Sequence, residues 1–144
     1  MTYKFNSCLK LRFYDWDGFR YVRTLIREYF QQFIPRHSIL MEVAINEAVN
    51  NALKYGRTTK GISLTLGVRN NEVVAEVRDY SAGFDFQEHL KQAGREEFPE
   101  MVLDNDCGRG IFLMKAAADK LSYNKRGNRV RMTKKMPGSS DISG

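Results

Sequence analysis

Polar and apolar residues alternate along the first stretch of the chain. Tyr3, Phe5, Leu9, Leu11 and Phe13 fall on one parity, and Lys4, Asn6, Lys10 and Arg12 on the other. A period of two predicts a half-buried strand over residues 3–13. The period then lengthens. Phe19, Val22, Leu25, Ile26, Tyr29 and Phe33 recur at helical spacing, so a first helix is expected from a cap at Asp15 or Asp17 to about Ile34, where Pro35 stops it. Ser38 is placed to cap a second helix from Ile39 to about Tyr55, with Gly56 as its stop. Ile62, Leu64, Leu66 and Val68 alternate with Ser63, Thr65 and Gly67; Asn70-Asn71 makes a turn, and Val73 to Asp79 returns as the other arm of a hairpin.

Residues 86–107 hold no sustained period and include Gly94 and Pro99, which predicts a long loop of the kind that often serves as a lid. A third, apolar helix is expected from Gly110 to Lys120. Leu121 to Tyr123 and Arg129 to Met136, around a turn at Lys125 to Asn128, then read as a second hairpin. The order strand, helix, helix, hairpin, loop, helix, hairpin implies an α+β fold, a two-layer α/β sandwich with the helices on one face of a mostly antiparallel sheet. Residues 1–136 form its single domain, and 137–144 a flexible tail.

Composition narrows the class. A chain of 144 residues with 42% hydrophobic residues and 3 Pro is an ordinary globular domain, not a disordered or fibrous one. No apolar run approaches the roughly 20 residues a membrane span needs, and the N-terminus lacks the apolar core of a signal peptide. Cys8 and Cys107 are too few for a zinc cage or a disulfide framework. A cytoplasmic protein with reduced thiols is expected. The net charge of +6 is unevenly spread: residues 109–135 carry nine Lys and Arg against Asp119 alone, whereas residues 96–106 carry five acids and no base. Such a basic region suits nucleic acid, a nucleotide or an acidic protein. A solvated sheet edge guarded by Lys and Arg explains it better on charge alone. Direct nucleic-acid binding ranks last, because the region offers little beyond Tyr123 for stacking.

Chemistry concentrates in three segments. In INEAVNNALKYG (45–56), Glu47 and Asn51 are four apart and share a helical face with Leu40, Val43 and Ala44. A carboxylate and an amide on an apolar face need a cation, water or ligand to satisfy them; at a helix edge, solvent would do the same. In VRDYSAGFDF (77–86), Asp79 closes a strand and small residues follow, which lets a ligand approach the backbone. A plain turn would use the same residues. In CGRGIFLMKAAADKL (107–121), Gly108 and Gly110 are read as preceding a helix whose first amides then face outward, a common anion site. The pattern is neither a P-loop nor a dinucleotide fingerprint.

Taken in order, the E-x-x-x-N helix, the D-x-(G)-x-G turn, the long loop and the G-x-G helix start resemble the GHKL ATPase superfamily and its Bergerat-type ATP-binding fold. EAVNNA, GFD and GRGIFLM are most similar to the small bacterial anti-sigma-factor serine/threonine kinases. The resemblance covers about residues 3–136. It implies binding of ATP with Mg²⁺, which Asn51 would coordinate, and a catalytic role for Glu47 as the base that activates the acceptor hydroxyl. Asp79 would hold the adenine amine and Gly83 would floor the pocket. Gly108, Arg109 and Gly110 would close over the phosphates. Ser81 stands where the family's first glycine usually stands, and Asn128 where a threonine commonly contacts adenine through water. Arg109 is the nearest cation for the γ-phosphate.

The function so implied is an ATP-dependent protein-serine/threonine kinase acting as an anti-sigma factor. Its partners would be an antagonist of the anti-anti-sigma type, which it phosphorylates, and a sigma factor, with a homodimer as the expected assembly. A nucleotide-gated adaptor with little or no transfer is the alternative. A detached histidine-kinase catalytic domain shares the same site, but no dimerising hairpin accompanies it here, and His37 and His89 read as surface or helix-end residues.

Overall fold

The computed structural model describes residues 5–55, 60–80 and 106–138, and the side chains of Tyr55 and of residues 106–109 lie outside that description. Its strands are β1 (Ser7–Phe13), β2 (Ile62–Arg69), β3 (Glu72–Arg78), β4 (Lys120–Tyr123) and β5 (Arg129–Lys135). Its α-helices are α1 (Trp16–Phe33), α2 (Ser38–Tyr55) and α3 (Asp106–Ala117), with a 3₁₀ turn at Pro35–His37. The strands form one sheet in the order β1-β2-β3-β5-β4, every neighbouring pair antiparallel. Asn70 and Asn71, at φ +49° and +61°, supply the left-handed pair that a tight β2–β3 hairpin needs.

Alternation along each strand sends one set of side chains to the helices. Leu9, Leu11 and Phe13 of β1 register with Leu66, Leu64 and Ile62 of β2, and Val73, Ala75, Val77, Val130 and Met132 continue that inner face. Phe19, Ile26 and Phe30 of α1, Met41, Ile45 and Val49 of α2, and Ile111 and Met114 of α3 are buried in the same core. Each fully buried side chain of this size contributes roughly 1.5–3 kcal/mol relative to exposure. The expected two-layer sandwich is therefore the architecture. Among the described residues no helix is long and apolar enough to cross a membrane.

Local boundaries depart from expectation in four places. Phe5 leaves the β1 alternation: its ring lies over Gly67, where an added Cβ would collide with it. Gly67 is thus needed there, and Phe5 caps the face opposite the helices. On α1, Phe30 is fully buried while Leu25 is 46% exposed. At 100° per residue, Leu25 lies about 100° from Ile26 and Phe30 about 40° from it, so the core-facing stripe is narrower than the apolar residues suggest. Asp15 does cap α1, its carboxylate accepting from the Gly18 N–H at 2.8 Å. Ser38 does not cap α2. The 3₁₀ turn feeds directly into that helix, and the Ser38 hydroxyl instead donates to the Pro35 carbonyl at 3.2 Å. Finally, α3 starts at Asp106 and ends at Ala117, so Lys120 belongs to β4.

The turn into β4 is held by Asp119. Its carboxylate accepts from the Lys135 N–H at 2.7 Å and from Lys134 Nζ at 3.3 Å, and its own N–H donates to the Thr133 carbonyl at 2.8 Å. Partial burial alone would raise its carboxyl, but those donors and the two lysine charges outweigh it and hold the group below the ordinary value of 3.8. A depressed folded value means that the contribution is present above the unfolded value and is lost as pH falls through the folded one. Asp119→Ala is expected to cost about 1 kcal/mol near neutral pH. Thermal melts of variant and parent should converge once the pH falls below the native carboxyl's titration.

Candidate functional site

The second half of α2 carries the first group of functional side chains. Glu47 and Asn51 stand one helical turn apart, and α3 packs beside them. Gly110 makes the contact. A Cβ built on it would lie 3.0 Å from Glu47 Oε2 and 3.4 Å from Asn51 Nδ2, so a side chain in that place would press on both groups. Asn51 is 6% exposed, and its Nδ2 has no hydrogen-bond partner among the described residues. Glu47 is half-buried, whereas Asn50 on the next face is exposed. A solvent-washed helix edge does not describe Asn51. A buried amide without a partner is costly, and such groups concentrate where something else completes them.

Gly110 is the fifth residue of α3 rather than a residue in front of it, and Gly108 lies in the first turn. The N–H groups without an intrahelical partner are therefore those of Asp106 to Arg109, and they hold the positive end of the helix dipole. Gly110 serves close approach, not the exposure of an amide. The Arg109 side chain lies outside the described residues, as do Ser81, Gly83 and the expected loop of residues 86–107 up to residue 105; its last two residues, Asp106 and Cys107, belong to α3 instead.

The second group sits where β3 leaves the sheet. The pairing of Arg78 with Arg129 continues one residue further, the Asp79 N–H donating to the Asn128 carbonyl at 3.0 Å. Asp79 and Asn128 are 8% and 5% exposed. Asn124 organises the turn: its Oδ1 accepts from the N–H groups of Asn128 and Arg129 at 3.0 and 3.1 Å, and its Nδ2 donates to Asn128 Oδ1 at 2.6 Å. Gly127, at φ +73°, allows the tight return. Two residues 49 positions apart in sequence (128 − 79) are so brought side by side. Asn124 is a positioning residue that periodicity does not reveal; a polar side chain capping its own hairpin turn is the signal that could have found it.

The fold thus assembles Glu47, Asn51 and Gly110 at the α2–α3 contact and Asp79 with Asn128 at the end of β3, and α2 lies against β3. Among the described residues no group of three or more His, Cys, Asp or Glu could hold a metal ion. The acid and amide on α2 can supply a proton acceptor and one neutral oxygen ligand. Asp79 can accept from an amine. Tyr80, the next residue, belongs to the opposite face of the sheet.

Comparison with known families agrees with this geometry. The model of the histidine kinase-like ATPase domain matches residues 19–134, a span that includes both groups. No curated protein matches the chain.

Proposed function

This chain belongs to the histidine kinase-like ATPase domain family, and from that membership we propose that it is an ATP-dependent protein-serine/threonine kinase acting as a cytoplasmic anti-sigma factor. The observation that carries the reading is the contact of Gly110 with Glu47 and Asn51, around a buried amide nitrogen that lacks a partner among the described residues. A Cβ at Gly110 would fill that cradle. The donor set also suits Mg²⁺, which keeps water and phosphate oxygens as ligands and asks little of the protein. Asn51 would hold it, and when bound it supplies neutralisation of the phosphate charge.

In this reading Asp79 accepts from the adenine amine, Gly83 floors the pocket, and Asn128 meets adenine through water. Gly108, Arg109 and Gly110 close over the phosphates, where the α3 dipole favours negative charge. Glu47 takes the proton of an acceptor serine as the serine oxygen bonds to the γ-phosphorus and the bond to the β–γ bridging oxygen breaks, releasing ADP. Positioning and electrostatics carry most of such a transfer. The acceptor is an antagonist of the anti-anti-sigma type, the competing partner a sigma factor, and the assembly a homodimer. A phosphate placed in the antagonist's interface would disrupt it through charge and desolvation.

Calorimetric titration with ATP in the presence of Mg²⁺ is expected to show saturable binding, and labelled γ-phosphate should then appear on a serine of the antagonist. Indifference to millimolar ATP would overturn the nucleotide reading itself. One observation favours the adaptor alternative: Asn128 replaces the expected threonine, and its carboxamide oxygen is already engaged by Asn124. Tight ATP binding without transfer to the antagonist would decide for the adaptor.

A further inference from the structure

The face of the sheet away from the helices carries a charge pattern that the fold does not require. Two rows cross it in register. Arg12, Ser63, Arg78 and Arg129 form one, and Lys10, Thr65, Glu76 and Arg131 the next. Lys10, Arg12, Glu76, Arg78, Tyr80 and Arg129 line a shallow trough there. Arg78 and Arg129 are direct cross-strand partners, an arrangement of like charges that destabilises a sheet. Edge protection does not explain it, because β3 and β5 are interior strands in the order β1-β2-β3-β5-β4.

Internal compensation is partial. Glu76 is the trough's carboxylate, and it is engaged by Arg131 at 2.6 Å and Arg129 at 3.5 Å. The hydrogen bonds of Arg12 go to neutral acceptors: the Tyr80 hydroxyl at 2.8 Å, and Ser63 Oγ and the Lys60 carbonyl at 3.3 Å each. The Arg12 and Arg78 guanidiniums lie 5.4 and 5.1 Å from the centre of the Tyr80 ring. A hydrogen bond with Ser63, aided by the charges of Arg12, Arg78 and Lys60, holds the Tyr80 phenol below its ordinary range despite slight desolvation. The local field is positive.

We propose that this trough docks an extended acidic segment of a partner protein, on the opposite side of the sheet from the α2–α3 contact and independently of the nucleotide reading. Glu76 between Arg129 and Arg131 already displays how a carboxylate is received there. The two rows are two residues apart along the strands, roughly 6.8 Å, which is also the step between same-side residues of an extended peptide. Nucleic acid on a sheet face needs open rings for its bases to stack on, and both guanidiniums crowd the Tyr80 ring. A second copy presenting the same face would set cation against cation.

A fluorescein-labelled peptide of alternating Glu and Ser, followed by fluorescence anisotropy at low salt, tests the proposal. Saturable binding is expected, weakened about tenfold by R12E/R78E and by less than about threefold by R20E/R36E, which makes the same charge change on the helical side. Lys10 makes no side-chain hydrogen bond among the described residues, so K10E should weaken the peptide about threefold without disturbing the fold, and the outcome does not hang on the double variant folding. Equal losses from R12E/R78E and R20E/R36E would overturn the proposal, leaving only diffuse attraction. So would an oligothymidine that binds more tightly than the peptide through the same residues, or sedimentation showing that R12E/R78E breaks a dimer.

Discussion

Asn51→Ala is expected to weaken Mg²⁺-dependent ATP binding strongly while leaving the unliganded fold as stable as before, and Glu47→Gln to keep binding while losing transfer. The two residues are one turn apart on α2, yet their environments separate their roles. Asn51 is buried, with an amide nitrogen that finds no partner among the described residues. Its oxygen and nitrogen are interchangeable by a flip, so the same carboxamide can present either atom to what binds. Removing it deletes an unsatisfied buried group, which offsets the small cavity left behind. Losing a charge-assisted contact worth about 2–3 kcal/mol would weaken the nucleotide roughly 30- to 150-fold. Glu47, by contrast, is half-buried with its carboxylate against α3. Gln keeps the shape and removes the proton acceptor, a change expected to cost about 10²–10⁴-fold in transfer. Calorimetry and labelled-phosphate transfer read the two effects separately. Equal loss of ATP from both variants would sink this division of labour.

What could be read from the sequence follows from which contacts are local. The hairpins were legible because one sheet face meets helices and the other meets solvent, and the resulting period of two marks β2 and β3 to within a residue. The Glu47–Asn51 pairing was legible because helical spacing alone puts them on one face. The start of α3 was not. A glycine pair reads as a helix boundary, but packing of Gly110 onto Glu47 belongs to tertiary structure and outweighs the low helix propensity of glycine. Phe5 escaped for the same reason, its partner Gly67 being more than sixty positions away. The basic rows were harder still. Arg12, Arg78 and Arg129 belong to three strands, and they share a row because β5 inserts between β3 and β4. Charge counting along the chain placed the bases in the C-terminal third and missed the contribution of β1.

Gly110→Ala is expected to leave stability unchanged or raise it while cutting transfer about three- to tenfold, a fraction of the roughly 100-fold that a misplacement of order 1 Å at a reacting group can cost. Alanine in place of glycine inside a helix favours folding by about 1 kcal/mol. Against this stands the new methyl group, 3.0 Å from Glu47 Oε2 and 3.4 Å from Asn51 Nδ2. Neither neighbour is backbone. Both are ends of side chains that can yield by a few tenths of an ångström, so the helices need not part and the strain is small. The displacement falls instead on the carboxylate assigned to the proton and on the amide assigned to the metal, where position matters more than packing. A melt shifted upward by about 2–4 °C, together with slowed transfer and a modest loss of ATP affinity, is the expected signature. A variant that melts well below the parent would mean that the α2–α3 seam cannot yield, and that Gly110 is kept for packing alone. One that transfers phosphate at the parental rate would place the reacting groups away from this contact.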